Sequence, residues 1–307
     1  MLGIHLDTDI GGDIDDLCAL AMLLNCPGAD LRAITTVSDD GGRRAGYARY
    51  ALRLAGRADV PVAAGADISL GCYCPTPGLP DEATYWPEPV LPAPGPLDRT
   101  LTLLERSIRE NAIIVAIGPY TNLALLEQRA PGILRSARLC LMGGYVFPPR
   151  TGFPAWGPDM DWNVQVDARS AHVVLRCAAP TLVPLSVTVE TALRRADLPT
   201  LRQAGPLAQL IAHQAEAFAE DEGIEARYGR TCTGLPDDTI NFLHDPLACA
   251  VALGWDETVK TSELRLRSEI VDGLLYQRID HGGVPTRVVT QVDGAYFSEL
   301  WLRTVVG

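Results

Sequence analysis

Asp7-Thr8-Asp9-Ile10-Gly11-Gly12-Asp13-Ile14-Asp15-Asp16 is the stretch whose reading decides the fold. It follows a short apolar run, residues 3–7, and leads into a helical pattern from Asp16 to Asn25. A buried strand, a glycine-rich return and a helix make one strand–loop–helix unit. Outward from it, Leu31–Val37, Asn111–Ile117, Arg138–Met142 and Leu182–Val187 have the length and continuous apolar character of buried strands. Helical patterns lie between several of them: Arg43–Ala55, Pro119–Arg129 and Asp167–Arg176. This alternation predicts an α/β fold, an open, mainly parallel sheet with helices on both faces. Ligands of such sheets sit beyond the carboxyl ends of the strands. Polar clusters fall there repeatedly, at Asp7–Asp16, Ser38–Asp40, Gly118–Asn122 and from Gly143 onward.

Five aspartates in ten residues repel one another if they converge without a counter-charge. A hard divalent cation with oxygen ligands resolves that repulsion, and calcium and magnesium both suit it. Gly11 and Gly12 supply freedom for a sharp return. Asp13 or Asp15 can instead cap the following helix, but one cap does not need five acids. The spacing is not that of an EF-hand. A second acid stands far along the chain, in His244-Asp245-Pro246-Leu247, at an expected helix start. Read alone, Asp245 is a cap. Read with the first cluster, it completes a metal shell, and His244 beside it becomes a candidate proton donor.

The rest of the chain narrows the function. Its 307 residues are 47% hydrophobic, enough for a large core, and no repeat or linker divides them, so residues 1–307 are read as one domain. The net charge of −12 argues against a nucleic-acid partner. Neither a leader-like segment nor a membrane-length apolar run is found, so a cytoplasmic location without a membrane is expected. The eight cysteines show no paired metal-binding spacing and read as free thiols. Residues 71–97, with eight prolines, are expected to form a loop excursion rather than a strand or helix. After Pro206 a long helix is expected through Arg227, then a helix at Asp245–Leu253, with strands at Leu264–Leu266, Gly273–Tyr276 and Arg287–Gln291.

The ordered set of these motifs resembles the inosine-uridine-preferring nucleoside hydrolase family. The resemblance runs from the acidic loop through Ile34-Thr35-Thr36-Val37, Ala116-Ile117-Gly118-Pro119-Tyr120-Thr121-Asn122-Leu123-Ala124 and Leu141-Met142-Gly143-Gly144. It continues through Asp161-Trp162-Asn163 to His244-Asp245-Pro246-Leu247-Ala248. It implies bound calcium, a homodimer or homotetramer, and hydrolysis of a ribonucleoside to ribose and free base. By the same resemblance, Asp9, Asp16 and Asp245 look like calcium ligands, with the backbone carbonyl near Leu141 as another. Asp9 also looks like the base that activates water. Asp15 matches the acid on the ribose 2′ hydroxyl, Asp161 and Asn163 match ribose-binding positions, and His244 matches a histidine near the leaving base. Trp156, Trp162 and Tyr228 are candidates to stack on the base or simply to pack.

Three departures stand out. The acidic loop is two residues longer than the commonest family form, which leaves the roles of Asp13, Asp15 and Asp16 open. Asp40 stands where the family carries a ribose-contacting asparagine. An upstream asparagine is missing before Asp161. Two other readings compete. A nucleoside or ribose sensor without turnover shares the same residues. A phosphohydrolase with an Asp-x-Asp loop needs a later lysine, and Lys260 is the only lysine in the chain.

Overall fold

The computed structural model describes residues 1–71 and 79–307. Its strands are β1 (Leu2–Thr8), β2 (Ala29–Thr36), β3 (Val62–Ala63), β4 (Ile113–Ala116), β5 (Arg138–Met142), β6 (Thr181–Val183), β7 (Ala192–Arg194), β8 (Thr239–Phe242), β9 (Val259–Val271), β10 (Leu274–Ile279) and β11 (Val284–Val292). Among the described residues nine of these form one sheet, in the order β10-β9-β11-β6-β5-β4-β1-β2-β3. Every pair from β11 to β3 is parallel, and only β9 is reversed, pairing antiparallel with β11 on one side and β10 on the other. β7 and β8 form a separate antiparallel ribbon. The mainly parallel α/β sheet expected from the sequence is therefore present, with an antiparallel ribbon at one edge.

Period-two alternation explains why both faces are covered. On β4, Ile113 and Val115 enter one apolar core while Ile114 and Ala116 enter the other. On β5, Cys140 and Met142 part in the same way from Leu139 and Leu141. Such strands cannot leave a face in water, so helices must pack on each. Helices Asp15–Asn25, Arg43–Leu54, Pro206–Glu222, His244–Ala252 and Gly294–Val306 pack on the first face, and Leu97–Arg109, Thr121–Arg129 and Ala168–Cys177 on the second. The last helix is tied to the first by the Trp301 indole, which donates to the Cys18 carbonyl at 3.1 Å.

Three elements differ from the sequence expectation. The run Leu182–Val187 splits, because β6 stops at Val183 and Pro184 precedes a helical turn, Leu185–Thr188. The long helix ends at Glu222, where Gly223 takes φ 61° and a π-helical turn, Glu225–Gly229, follows. β9 is far longer than Leu264–Leu266, since its exposed side is charged and only its other side is apolar. Within the proline-rich stretch, Glu82–Tyr85 forms a short helix, while Cys72, Cys74, Pro75 and Pro77 lie outside the described residues. Cys18, Cys140 and Cys249 are buried free thiols. No helix among the described residues is long and apolar enough to cross a membrane.

Candidate active site

The acidic loop leaves β1 at the carboxyl edge of the sheet and returns at Gly11, whose φ is 108°. A side chain there would run into the Tyr47 ring as well as strain the backbone. The loop is pinned from three sides. The Thr8 hydroxyl donates to Asp16. Asn241 on β8 donates to Asp13 Oδ1 at 2.7 Å. Buried Arg44 donates to the carbonyls of Asp9 and Ile10, and its Nε reaches the Ser38 carbonyl at 2.8 Å.

These anchors converge on a cavity of about 580 Å³. At its floor, carboxylate oxygens of Asp15, Asp16 and Asp245 lie within 4.8 Å of one another, and all three residues are buried. Helix Asp15–Asn25 supplies two of them and the first turn of His244–Ala252 the third. Asp9 lines the same cavity outside this triad, and burial raises its carboxyl above the usual range against the opposing Arg44 charge. Burial first, and repulsion among the acids second, drives Asp15 and Asp245 far above the ordinary carboxylate range, and burial with the Asp9 charge does the same to Asp16. Arg44 is the one cationic side chain lining the cavity among the described residues, and its guanidinium is spent on backbone carbonyls. The acids lack a matching counter-charge, and an all-oxygen donor set of this kind fits a hard divalent ion such as calcium.

Around the floor, Asn163 donates to the Ile117 carbonyl at 2.9 Å and the Met142 carbonyl at 3.3 Å, joining the ends of β4 and β5. Asp161 caps the turn Trp162–Gln165 and accepts the Gly144 N–H at 2.5 Å; burial raises it to about 7. His244 Nδ1 lies 2.6 Å from the Thr188 hydroxyl, and burial lowers the imidazole to about 3. Phe242 stacks on it at 5.2 Å, and Trp156 stands 6.1 Å away. Asp9, Asp15, Asp16, Asp161, Asn163, Trp156, Trp162, His244 and Asp245 all line the one cavity.

Three residues singled out in the sequence stand elsewhere. Asp40 is exposed and does not line the cavity; its neighbour Asp39 turns inward and accepts from the Thr36 hydroxyl at 2.6 Å and the Arg44 and Ala45 N–H groups at 2.8 and 3.0 Å. Leu141 lies inside β5, paired with Ala116 and Leu182, and the strand-end residues that reach the cavity are Ile117 and Met142. Tyr228 packs edge-on against Trp156 at 5.2 Å, behind the lining. Sequence reading missed Arg44, Tyr85, Phe218, Asp221 and Glu222, which line the cavity, and Thr188, which holds His244. A buried arginine in the first turn of a helix has no sequence signature. The acids at the end of helix Pro206–Glu222 fall inside a helix the sequence carries on to Arg227, so nothing marks them as facing a cavity.

The profile of the family described as inosine-uridine preferring nucleoside hydrolase matches residues 4–299. A pyrimidine-specific ribonucleoside hydrolase RihA of Salmonella arizonae is 30% identical over 262 residues, covering 82% of this chain and 78% of that protein. RihA of Escherichia coli is 31% identical over 263 residues, again with 82% and 78% covered. Among solved structures, a plant nucleoside hydrolase superposes with TM-score 0.77 at 22% identity, covering 100% of this chain and 99% of its own. A purine-preferring ribonucleoside hydrolase from Gardnerella vaginalis gives TM-score 0.77 at 20% identity, covering 99% and 98%. The two structures share the fold, and the profile match over nearly the whole length shows that this chain belongs to the inosine-uridine preferring nucleoside hydrolase family.

Proposed function

We propose that the protein is a calcium-dependent hydrolase of the N-glycosidic bond of ribonucleosides, releasing ribose and free base. The observation that carries this reading is the buried triad Asp15, Asp16 and Asp245 on the floor of a cavity large enough for a nucleoside. In this reading Asp16 and Asp245 would hold the ion, and Asp15 would accept a hydrogen bond from the sugar 2′ hydroxyl. When bound, calcium supplies the positive charge that gathers the ribose hydroxyls and lowers the pKa of water. Asp9, its pKa raised by burial, accepts the proton of the attacking water. The carboxylates around the anomeric carbon stabilise positive charge growing on the ribosyl group. Asp161 and Asn163, locked by backbone partners, orient the sugar.

His244, on the wall of the same cavity, is the candidate partner of the leaving base. The Thr188 hydroxyl donates to the Leu185 carbonyl at 3.2 Å and lies 2.6 Å from His244 Nδ1, which holds the ring in place at the cavity wall. Trp156 and Trp162 form the aromatic part of the cavity against which a base rests. By family likeness the protein assembles as a homodimer or homotetramer, which light scattering on the purified protein decides.

The decisive experiment incubates calcium-loaded protein with a panel of ribonucleosides and measures free ribose, with a chelated control. Ribose release that chelation stops and calcium restores is expected. Tight nucleoside binding with no ribose from any member of the panel overturns catalysis in favour of a sensor.

A further inference from the structure

Beyond the floor, helix Pro206–Glu222 delivers Phe218, Asp221 and Glu222 to the cavity, facing it together with Pro80 and Tyr85. None of these has a part in the reaction as described. Their placement works against the helix, whose carboxyl end carries partial negative charge and here has no basic residue in its last turn. Asp221 is fixed all the same. The buried Tyr85 hydroxyl donates to Asp221 Oδ2 at 2.9 Å, while Glu222 is held by Arg227 at 3.3 Å.

The hydrogen-bond inventory of this wall is one-sided. Tyr85 has a single hydroxyl proton, and it is committed to Asp221. An ionised carboxylate accepts and never donates. Among the described residues the side chains of this wall therefore offer acceptors only, and its two acids, Asp221 and Glu222, are exposed and make it negatively charged. With the ribose on the floor, the base occupies the remaining volume, bounded by this wall. A base that turns N–H groups toward Asp221 gains a charge-assisted hydrogen bond. A base that turns a carbonyl oxygen there meets like charge and leaves its acceptor unpaired.

We propose that Asp221, positioned by Tyr85, selects nucleosides whose base carries an exocyclic amino group over their oxo counterparts, cytidine over uridine and adenosine over inosine. The inference rests on the nucleoside hydrolase reading and names the substrate class of that same cavity. Asp221 is the specificity-determining residue and Tyr85 a positioning residue.

The test compares kcat/KM for the pairs cytidine/uridine and adenosine/inosine in the wild type, Asp221→Asn and Tyr85→Phe. Calorimetric titration of the same nucleosides into calcium-loaded protein runs alongside. The wild type is expected to favour the amino member of each pair. Asp221→Asn replaces a pure acceptor with an amide that also donates, so the amino/oxo ratio should fall about tenfold, the scale of one hydrogen bond to a charged group. Tyr85→Phe should lower the ratio by a smaller factor while calcium binding, read by calorimetry, stays intact. Oxo preference in the wild type, or an unmoved ratio in Asp221→Asn, overturns the inference while leaving hydrolysis standing. Absence of ribose from every nucleoside overturns the hydrolase reading instead, and the ratio of binding constants then still decides the preference.

Discussion

Asn122 donates to the Asp7 carboxylate at 2.8 Å across the carboxyl ends of two neighbouring strands. The same amide donates to the Thr36 carbonyl at 2.8 Å and accepts the Ala66 N–H at 2.9 Å, so one side chain laces β1, β2 and the segment after β3 beneath the acidic loop. Asp7 itself keeps one oxygen, Oδ2, buried without a partner.

Asn122→Ala should therefore cost more than a typical hydrogen bond. It removes one of two donors to the buried Asp7 carboxylate, which keeps the Thr35 hydroxyl, and the side-chain partner of two backbone groups, a loss of about 2–4 kcal/mol. Urea denaturation of the calcium-loaded protein measures it. A loss below about 1 kcal/mol would show that water replaces the amide.

Stability should depend on pH in opposite senses with and without calcium. Burial raises Asp13 to about 6 and Asp7 to about 7 from the usual 3.8, and raises Asp15, Asp16 and Asp245 as well. Without metal the folded chain holds these protons more tightly than the unfolded chain. The stabilisation is complete below the unfolded value near 4 and is lost as pH rises through about 6–7. Calcium must displace the protons of the acids that hold it, Asp16 and Asp245, so its affinity grows with pH. Scanning calorimetry with chelator should give a lower Tm at about pH 8 than at about pH 5.5, and saturating calcium should reverse the order.

Asp245→Asn and Asp16→Ala should each abolish tight calcium binding and lower kcat/KM by at least about 10²-fold, while far-UV circular dichroism stays that of the folded chain. Metal analysis after dialysis checks the first part. Full activity with no bound metal would remove either residue from its assigned role.

Neighbouring acids should behave differently. Asp40 is exposed and outside the cavity, so Asp40→Asn should leave kcat/KM alike for every nucleoside. Asp39 is buried and accepts from a hydroxyl and two N–H groups, so Asp39→Ala should destabilise by about 2–3 kcal/mol and loosen Arg44. Thermal melts and a substrate panel separate the two. An effect of Asp40→Asn on sugar preference would return that residue to the site.

Thr188→Val should lower kcat with little change in KM, because it removes the partner of His244 Nδ1 and not a substrate contact. Thr188→Ser should restore most of the rate. Equal loss in both variants would mean that Thr188 only fills space.

The strands next to the site were legible because each is an apolar run with a polar residue at its carboxyl end; β5 has the bounds its sequence suggests. β9 was legible only in its middle, since Glu263, Arg265 and Arg267 alternate outward and break the apolar signal. The acidic loop and Asp245 were recognisable from charge density and motif order. Which of two adjacent acids turns inward was not: the chain reverses at Ser38, with φ 52°, and that reversal sends Asp39 in and Asp40 out. The carbonyl near Leu141 comes from the family resemblance alone, which does not say that Met142, one residue on, is the strand-end residue lining the cavity. Asp221 escaped notice because only tertiary packing brings a helix end over a strand end.

The bond from Asn241 to Asp13 spans 228 residues of sequence, and the triad itself waits for Asp245. Synthesis proceeds from the other end. A growing polypeptide presents Asp9, Asp13, Asp15 and Asp16 long before the ribosome delivers the residues that anchor and complete their cluster. Closing so long a loop is slow, and during that interval the apolar face awaiting helix His244–Ala252 stands open to association. Metal capture is thereby a late event in the life of the molecule, and a chain cut short before Asp245 is an aggregation hazard rather than a feeble enzyme.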